Sequence, residues 1–161
     1  SAPVSLLSNR LVVVAPSAVF RPSGRIDSPA TLTDPQFRRI AIGDPTGVPA
    51  GVYARTYLES ISLWEALSER MVPTRSVRAA LAIVEAGEVD AGIVYRTDAR
   101  TTDGVRVVFD VAAEDGPAIV YPAAVLSGAR DRDTAEQFLS FLQRPASGAV
   151  FDEAGFVLLS P

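Results

Sequence analysis

The sequence predicts an α/β fold in three layers, with helices covering both faces of a mostly parallel sheet. Three features carry that prediction. Short apolar runs alternate with helical patterns along most of the 161-residue chain, as strand–helix–strand units built on one sheet require. Two helix starts are strongly signalled, at Gly43-Asp-Pro-Thr-Gly-Val-Pro-Ala-Gly51 and at Thr74-Arg-Ser76. The second helix stops at Gly87 and is followed at once by a buried run ending in Tyr95.

Taken in order, Arg10–Ala15 is an apolar run suited to a strand. Phe20–Pro35 holds Pro22, Pro29 and Pro35 among scattered Ser, Asp and Thr, and reads as a loop with at most a short helical turn. Ile40–Gly43 is a short strand, and the turn after it opens a helix over Ala50–Glu59. Pro49 stands in the first turn, where its missing N–H costs nothing, and Ala50 and Gly51 carry almost no side chain. A short helix over Leu63–Glu69 packs through Trp64. The helix Ser76–Ala86 has hydroxyl residues suited to capping its start and places Val77, Leu81 and Val84 on one face. Ala91–Tyr95 is a buried strand ending in an aromatic hydroxyl. Strands Val105–Phe109 and Ile119–Val125 follow, then helices Asp133–Gln143 and Ala146–Ala154 and a short strand Phe156–Leu159. The helix Asp133–Gln143 is amphipathic, with Phe138, Leu139 and Leu142 expected in a core. Little sheet remains in the chain for it to cover, so part of its covering layer is expected to lie elsewhere.

Composition removes whole classes of chemistry. The chain has no cysteine, no histidine and no lysine; its 15 basic residues are all arginine. Ordinary zinc sites, Cys–His and Ser-His-Asp nucleophiles, P-loop lysines and Schiff bases are excluded. A net charge of −4 opposes a nucleic-acid surface. No apolar run approaches the roughly 20 residues of a membrane span. Residues 1–8 carry neither the charged start nor the apolar middle of a signal peptide, and the start reads as a mature or truncated terminus.

Helix starts offer a different chemistry. Each leaves backbone N–H groups unpaired and carries about half a positive charge, which together make an anion site. In open α/β sheets ligands bind beyond the carboxyl ends of the strands, where helix starts also point. Two helix starts and the strand-end Tyr95 are therefore expected to share one crevice. In an acidic protein, such local dipoles are what attract a small oxyanion.

The motifs resemble the periplasmic molybdate-binding proteins of ABC importers, which have the type II periplasmic-binding fold. The matching strings are Leu11–Pro16, Gly43–Gly51, Ser76–Glu85, Ala91–Tyr95 with Thr97–Ala99, Val120–Val125 and Phe151–Phe156, in the family's order over nearly the whole chain. The specific element is Asp-Pro-x-x-Val-Pro-Ala-Gly, here Asp44–Gly51. The resemblance implies a substrate-binding protein that captures molybdate or tungstate with neutral donors and hands it to an ABC permease. It implies a periplasmic or other extracytoplasmic place, membrane contact through the transporter alone, no catalysis and no cofactor. It also implies a connecting segment at 1–8, a second, ligand-binding lobe at 9–124, and first-lobe helices and a short strand at 125–161. A further ~80–90 residues of the first lobe, by typical domain size, are expected upstream. The family's two serine ligands belong there, since Ser5 and Ser8 do not sit in its serine motifs.

By the same resemblance Ala50 donates its N–H at the first helix start, Val77 donates at the second, and Tyr95 donates its phenol. Arg96 stands where a small residue is expected, and either adds positive charge at the cleft rim or points into solvent. Asp44 and Asp98 read as turn caps, because a carboxylate aimed at a dianion would repel it. Arg75 and Arg78 read as steering charges. The rival readings are an oxyanion-sensing domain of a transcription regulator, a binding protein for another tetrahedral oxyanion such as sulfate, and an α/β enzyme. The first lacks a basic helix here, and the last lacks histidine, cysteine and lysine.

Overall fold

The computed structural model describes residues 2–18 and 26–159. Residues 20–25 of the expected Phe20–Pro35 loop lie outside the described part; the rest contains one 3₁₀ turn, Pro29–Thr33, capped by Ser28. The chain divides into a larger unit, residues 10–117, and a smaller one of residues 1–9 and 118–161.

The larger unit holds β2 (Leu11–Pro16), β3 (Ile40–Gly43), β4 (Met71–Thr74), β5 (Ala91–Tyr95) and β6 (Val105–Asp110) in one sheet, ordered β4-β3-β5-β2-β6. β3 is parallel to β4 and to β5, whereas β2 is antiparallel to both its neighbours, β5 and β6. Four strands thus run one way and β2 alone runs back. Every residue of β2 and β3 is buried, which is why both read as unbroken apolar runs.

Helices α1 (Pro49–Ser60) and α3 (Val77–Glu85) cover this sheet. Val12, Val14, Ala41 and Val94 pack with Ala80, Leu81 and Val84 of α3. Their strand neighbours Val13, Ile40, Ile42 and Ile93 are equally buried and, by the period-2 alternation, face the other side. There α1 presents Ala54, Tyr57 and Leu58. Each Val, Leu or Ile side chain so taken from water contributes about 1.5–3 kcal/mol. At the end of α3, Gly87 takes φ 70° while its N–H donates to Val84 O at 2.9 Å and Glu88 N–H donates to Ile83 O at 3.0 Å. Those two bonds close the helix in the Schellman manner, which accounts for a glycine there.

Two more helices are single turns: α2 (Trp64–Leu67), continued by a 3₁₀ turn at Ser68–Arg70, and α4 (Arg96–Ala99). Trp64 is only half-buried, with the Arg55 guanidinium 5.2 Å above its ring.

The smaller unit pairs β7 (Val120–Ala123), β1 (Val4–Ser8) and β8 (Val157–Leu158) in an antiparallel sheet with β1 in the middle. Asn9 is 3% exposed and its Nδ2 donates to the Tyr121 hydroxyl at 3.1 Å. Tyr121 in turn meets Phe156 edge-on at 5.5 Å. Helices α5 (Arg132–Leu142) and α6 (Pro145–Glu153) complete the unit. Phe138 departs from expectation. It is 60% exposed and, with Val125, Leu139 and Leu142, lines an open groove of about 680 Å³. The apolar stripe of α5 has more width than this unit covers.

Two strands were not expected from sequence. β4 contains Pro73 and survives because it is an edge strand, where a missing N–H leaves no partner unpaired. β1 has weak alternation, and its partners β7 and β8 lie more than a hundred residues downstream.

Candidate anion site

The carboxyl ends of β3, β4 and β5 form one edge of the larger sheet, and there the candidate residues gather. Gly43 pairs with Thr74, and Asp44 N–H donates to Thr74 O at 2.8 Å, so the turns leading into α1 and α3 leave side by side. β5 runs parallel on the other side of β3 and ends in Tyr95 at the same edge.

The α1 turn is built by Asp44. Its carboxylate accepts from Thr46 N–H at 2.8 Å and from the Thr46 hydroxyl at 2.6 Å. The hydroxyl bond, and then the backbone bond, hold this carboxyl below its ordinary value. Asp44 O accepts from Val48 N–H at 2.8 Å. Asp44 is therefore a turn cap, its charge engaged by the loop. Val48 O then accepts from Gly51 and Val52 at 2.9 and 3.0 Å. Pro49 has no N–H, which leaves that of Ala50 without a protein partner among the described residues. Ala50 is 1% exposed, and an unpaired N–H in such a place costs about 1–3 kcal/mol.

Gly51 makes this approach of helix to strand possible. A Cβ there would lie 2.0 Å from the carbonyl oxygen of Gly43, and one on Gly43 would lie 2.6 Å from Val48 Cγ1.

At α3, Ser76 is the N-cap, and its hydroxyl accepts from Ala79 N–H at 3.1 Å. Ser76 O accepts from Ala80 at 3.1 Å. The N–H groups of Val77 and Arg78 have no partner among the described residues. Val77 turns its side chain onto the core beside Leu81, so core packing and an outward N–H coexist in one residue. The free N–H of Arg78 was not foreseen; counting bonds from the Ser76 cap would have revealed it. The Arg75 and Arg78 side chains are exposed.

Tyr95 is half-buried at the end of β5 and is itself the N-cap of α4. The Asp98 carboxylate accepts from the Tyr95 N–H, so the expected cap reaches back across one turn. Its Oδ2 is buried without a hydrogen-bond partner. Burial pushes the Asp98 carboxyl above its ordinary value, while Arg78 and the Tyr95 N–H pull it down. For an acid raised by folding, stability is greatest below its unfolded value and is lost as pH rises through the folded one. The charged form of Asp98 is thus held at a cost.

Arg96 takes neither course expected of it. Its guanidinium pairs with Asp110 of β6, Arg10 Nη1 lies 3.8 Å from the same carboxylate, and Arg96 N–H donates to Arg10 O at 2.9 Å. Asp110 lies 14 residues along the chain and meets Arg96 only across β2, which no local pattern reveals. Among the described residues no cluster of His, Cys, Asp or Glu is arranged to hold a metal ion, and no helix is long and apolar enough to cross a membrane.

Known proteins share this architecture. The chain is 39% identical over 155 residues to the molybdate-binding protein ModA of Escherichia coli, a match covering 96% of this chain and 60% of that protein. It is 34% identical over 151 residues to ModA of Haemophilus influenzae, covering 94% and 59%. The solved periplasmic molybdate-binding protein of Azotobacter vinelandii superposes with a TM-score of 0.73 at 25% identity, over 98% of this chain and 68% of that one. The chain thus spans about 60% of the length of the curated relatives it matches. The family model for bacterial extracellular solute-binding proteins matches residues 1–157. With nearly every described element inside that match, the chain belongs to the bacterial extracellular solute-binding proteins.

Proposed function

We propose that this chain carries the helix-start half of a site that captures a tetrahedral dianion, molybdate or tungstate, for delivery to an ABC permease outside the cytoplasm. The observation that carries the reading is the set of unpartnered N–H groups at Ala50 and Val77, beside Tyr95, on one sheet edge. Molybdate is named because relatives that match this chain are molybdate-binding proteins. Ala50 and Val77 donate backbone N–H groups, Tyr95 donates its hydroxyl, and no bond is made or broken.

Charge-assisted hydrogen bonds contribute roughly 1.5–3 kcal/mol each, and micromolar affinity needs about 8 kcal/mol. Three donors, after desolvation, fall short of that. Further donors therefore come from the remainder of a protein of the relatives' length, and residues 1–161 alone bind weakly. A site made only of donors disfavours phosphate, which is partly protonated at neutral pH and brings an O–H of its own. Sulfate is unprotonated and smaller, so a rigid cage rejects it by size.

Calorimetry on the full-length protein with molybdate, tungstate, sulfate and phosphate tests this. Molybdate and tungstate are expected to bind alike and the other two far more weakly; equal heats from all four would overturn selection by size. Tyr95→Phe is expected to weaken molybdate binding by about 10–100-fold, the loss of one hydrogen bond to charge. An unchanged Kd would remove Tyr95 from the site.

A further inference from the structure

Building on that anion-site reading, we infer that Asp98 sets the charge of the site: tied to the Tyr95 N–H, its carboxylate offsets Arg78 in the first turn of α3, and the guest meets dipoles without a net point charge. α4 follows Tyr95 directly and packs on α3, so the turn that carries Asp98 joins the strand end of one proposed donor to the helix of the other. Capping alone does not call for a carboxylate, since an amide oxygen at the third helical position accepts from the N-cap N–H as a carboxylate does. Yet a carboxyl group is kept here with Oδ2 buried and unbonded, in surroundings that disfavour its charge.

Arg78 supplies the reason. It is the second residue of α3, next to the unpaired N–H groups, where a guanidinium adds to the positive end of the helix. A bare cation there attracts any anion whatever its radius, which weakens discrimination by size. Of the other charged groups on α4 and the elements packed against it, Arg96 pairs with Asp110, which Arg10 beside β2 also approaches, Glu85 accepts from the Thr102 hydroxyl at 2.6 Å, and Arg106 donates to Ser17 O at 3.4 Å. Asp98 is left as the counter-charge acting on Arg78.

The test uses Asp98→Asn, Arg78→Gln and the double variant of the full-length protein, titrated with molybdate and with sulfate in low and high salt. Asp98→Asn keeps an acceptor for Tyr95 and removes only charge. It is expected to tighten both anions by about 3–10-fold at low salt and to narrow the molybdate-to-sulfate ratio, with the gain shrinking in 0.5 M salt (about 4–5 Å screening length). Its unfolding midpoint should be no lower than that of the parent. Arg78→Gln, at an exposed position, should shift affinity the opposite way, and the double variant should return close to the parent. Unchanged or weaker binding by Asp98→Asn, in a protein whose parent binds molybdate, overturns the role of Asp98 alone. No binding by the parent overturns the anion site and this role together.

Discussion

Val77→Pro weakens molybdate binding by roughly 10–100-fold and leaves the unfolding midpoint within a few degrees of the parent. Val77 is the first residue of α3, its N–H has no partner among the described residues, and Ser76 before it is extended at φ −163°, ψ 159°. A proline is accepted at that helical position and tolerated after an extended residue. The helix therefore loses no bond of its own, and the Ser76 cap onto Ala79 persists. What disappears is one charge-assisted donor, worth about 1.5–3 kcal/mol to a bound dianion, at about 1.4 kcal/mol per factor of ten. Calorimetry beside a thermal melt separates the two quantities. Val77→Ala retains the N–H and should bind almost as the parent does. If the proline variant binds equally well, the anion is not held at this helix start.

Gly51→Ala is expected to destabilise the full-length protein by about 4 kcal/mol, at the severe end of single substitutions. Helix propensity alone argues the reverse, since alanine in a helix is favoured over glycine by about 1 kcal/mol. The added methyl would stand 2.0 Å from Gly43 O, with Asp44 C also only 2.9 Å away. These are backbone atoms, which cannot rotate aside as a side-chain tip can. The start of α1 must shift away from the end of β3, and the Ala50 N–H moves with it. The midpoint of urea unfolding measures the loss, and a midpoint at or above the parent's would mean that helix and strand do not approach so closely.

The two helix starts could be read from the sequence because their determinants are local. Pro49, Gly51, Ser76 and Gly87 each meet a steric or hydrogen-bonding demand within a few residues of themselves. The buried strands β2, β3 and β5 were equally legible, for strands covered on both faces must be continuously apolar. β1 escaped notice because its pairing is with residues far along the chain, and β4 because Pro73 argues against a strand everywhere except at an edge. Phe138 followed the rule that an apolar stripe is covered, and the unit containing it leaves that stripe partly open. The partners of Arg96 and Asp98 depend on which strands adjoin and which helices pack, information that appears only when the sheet is assembled. The fold was thus readable wherever one face or one turn decides it. The charges around the candidate donors were not.

The single reversed strand has a mechanical consequence. Because β2 runs against its neighbours, Leu11 pairs with Tyr95, so the chain enters the larger unit beside the proposed tyrosine donor. β6 ends at this border too, where Val111 N–H donates to Leu11 O at 3.1 Å, and the chain departs soon afterwards at Pro117. Both covalent passages of this body are therefore rooted where its guest is proposed to sit. Occupancy needs no relay through the interior to be felt in them: stiffening this margin stiffens the roots directly, and slowed amide exchange at Val111 is the place to look for it.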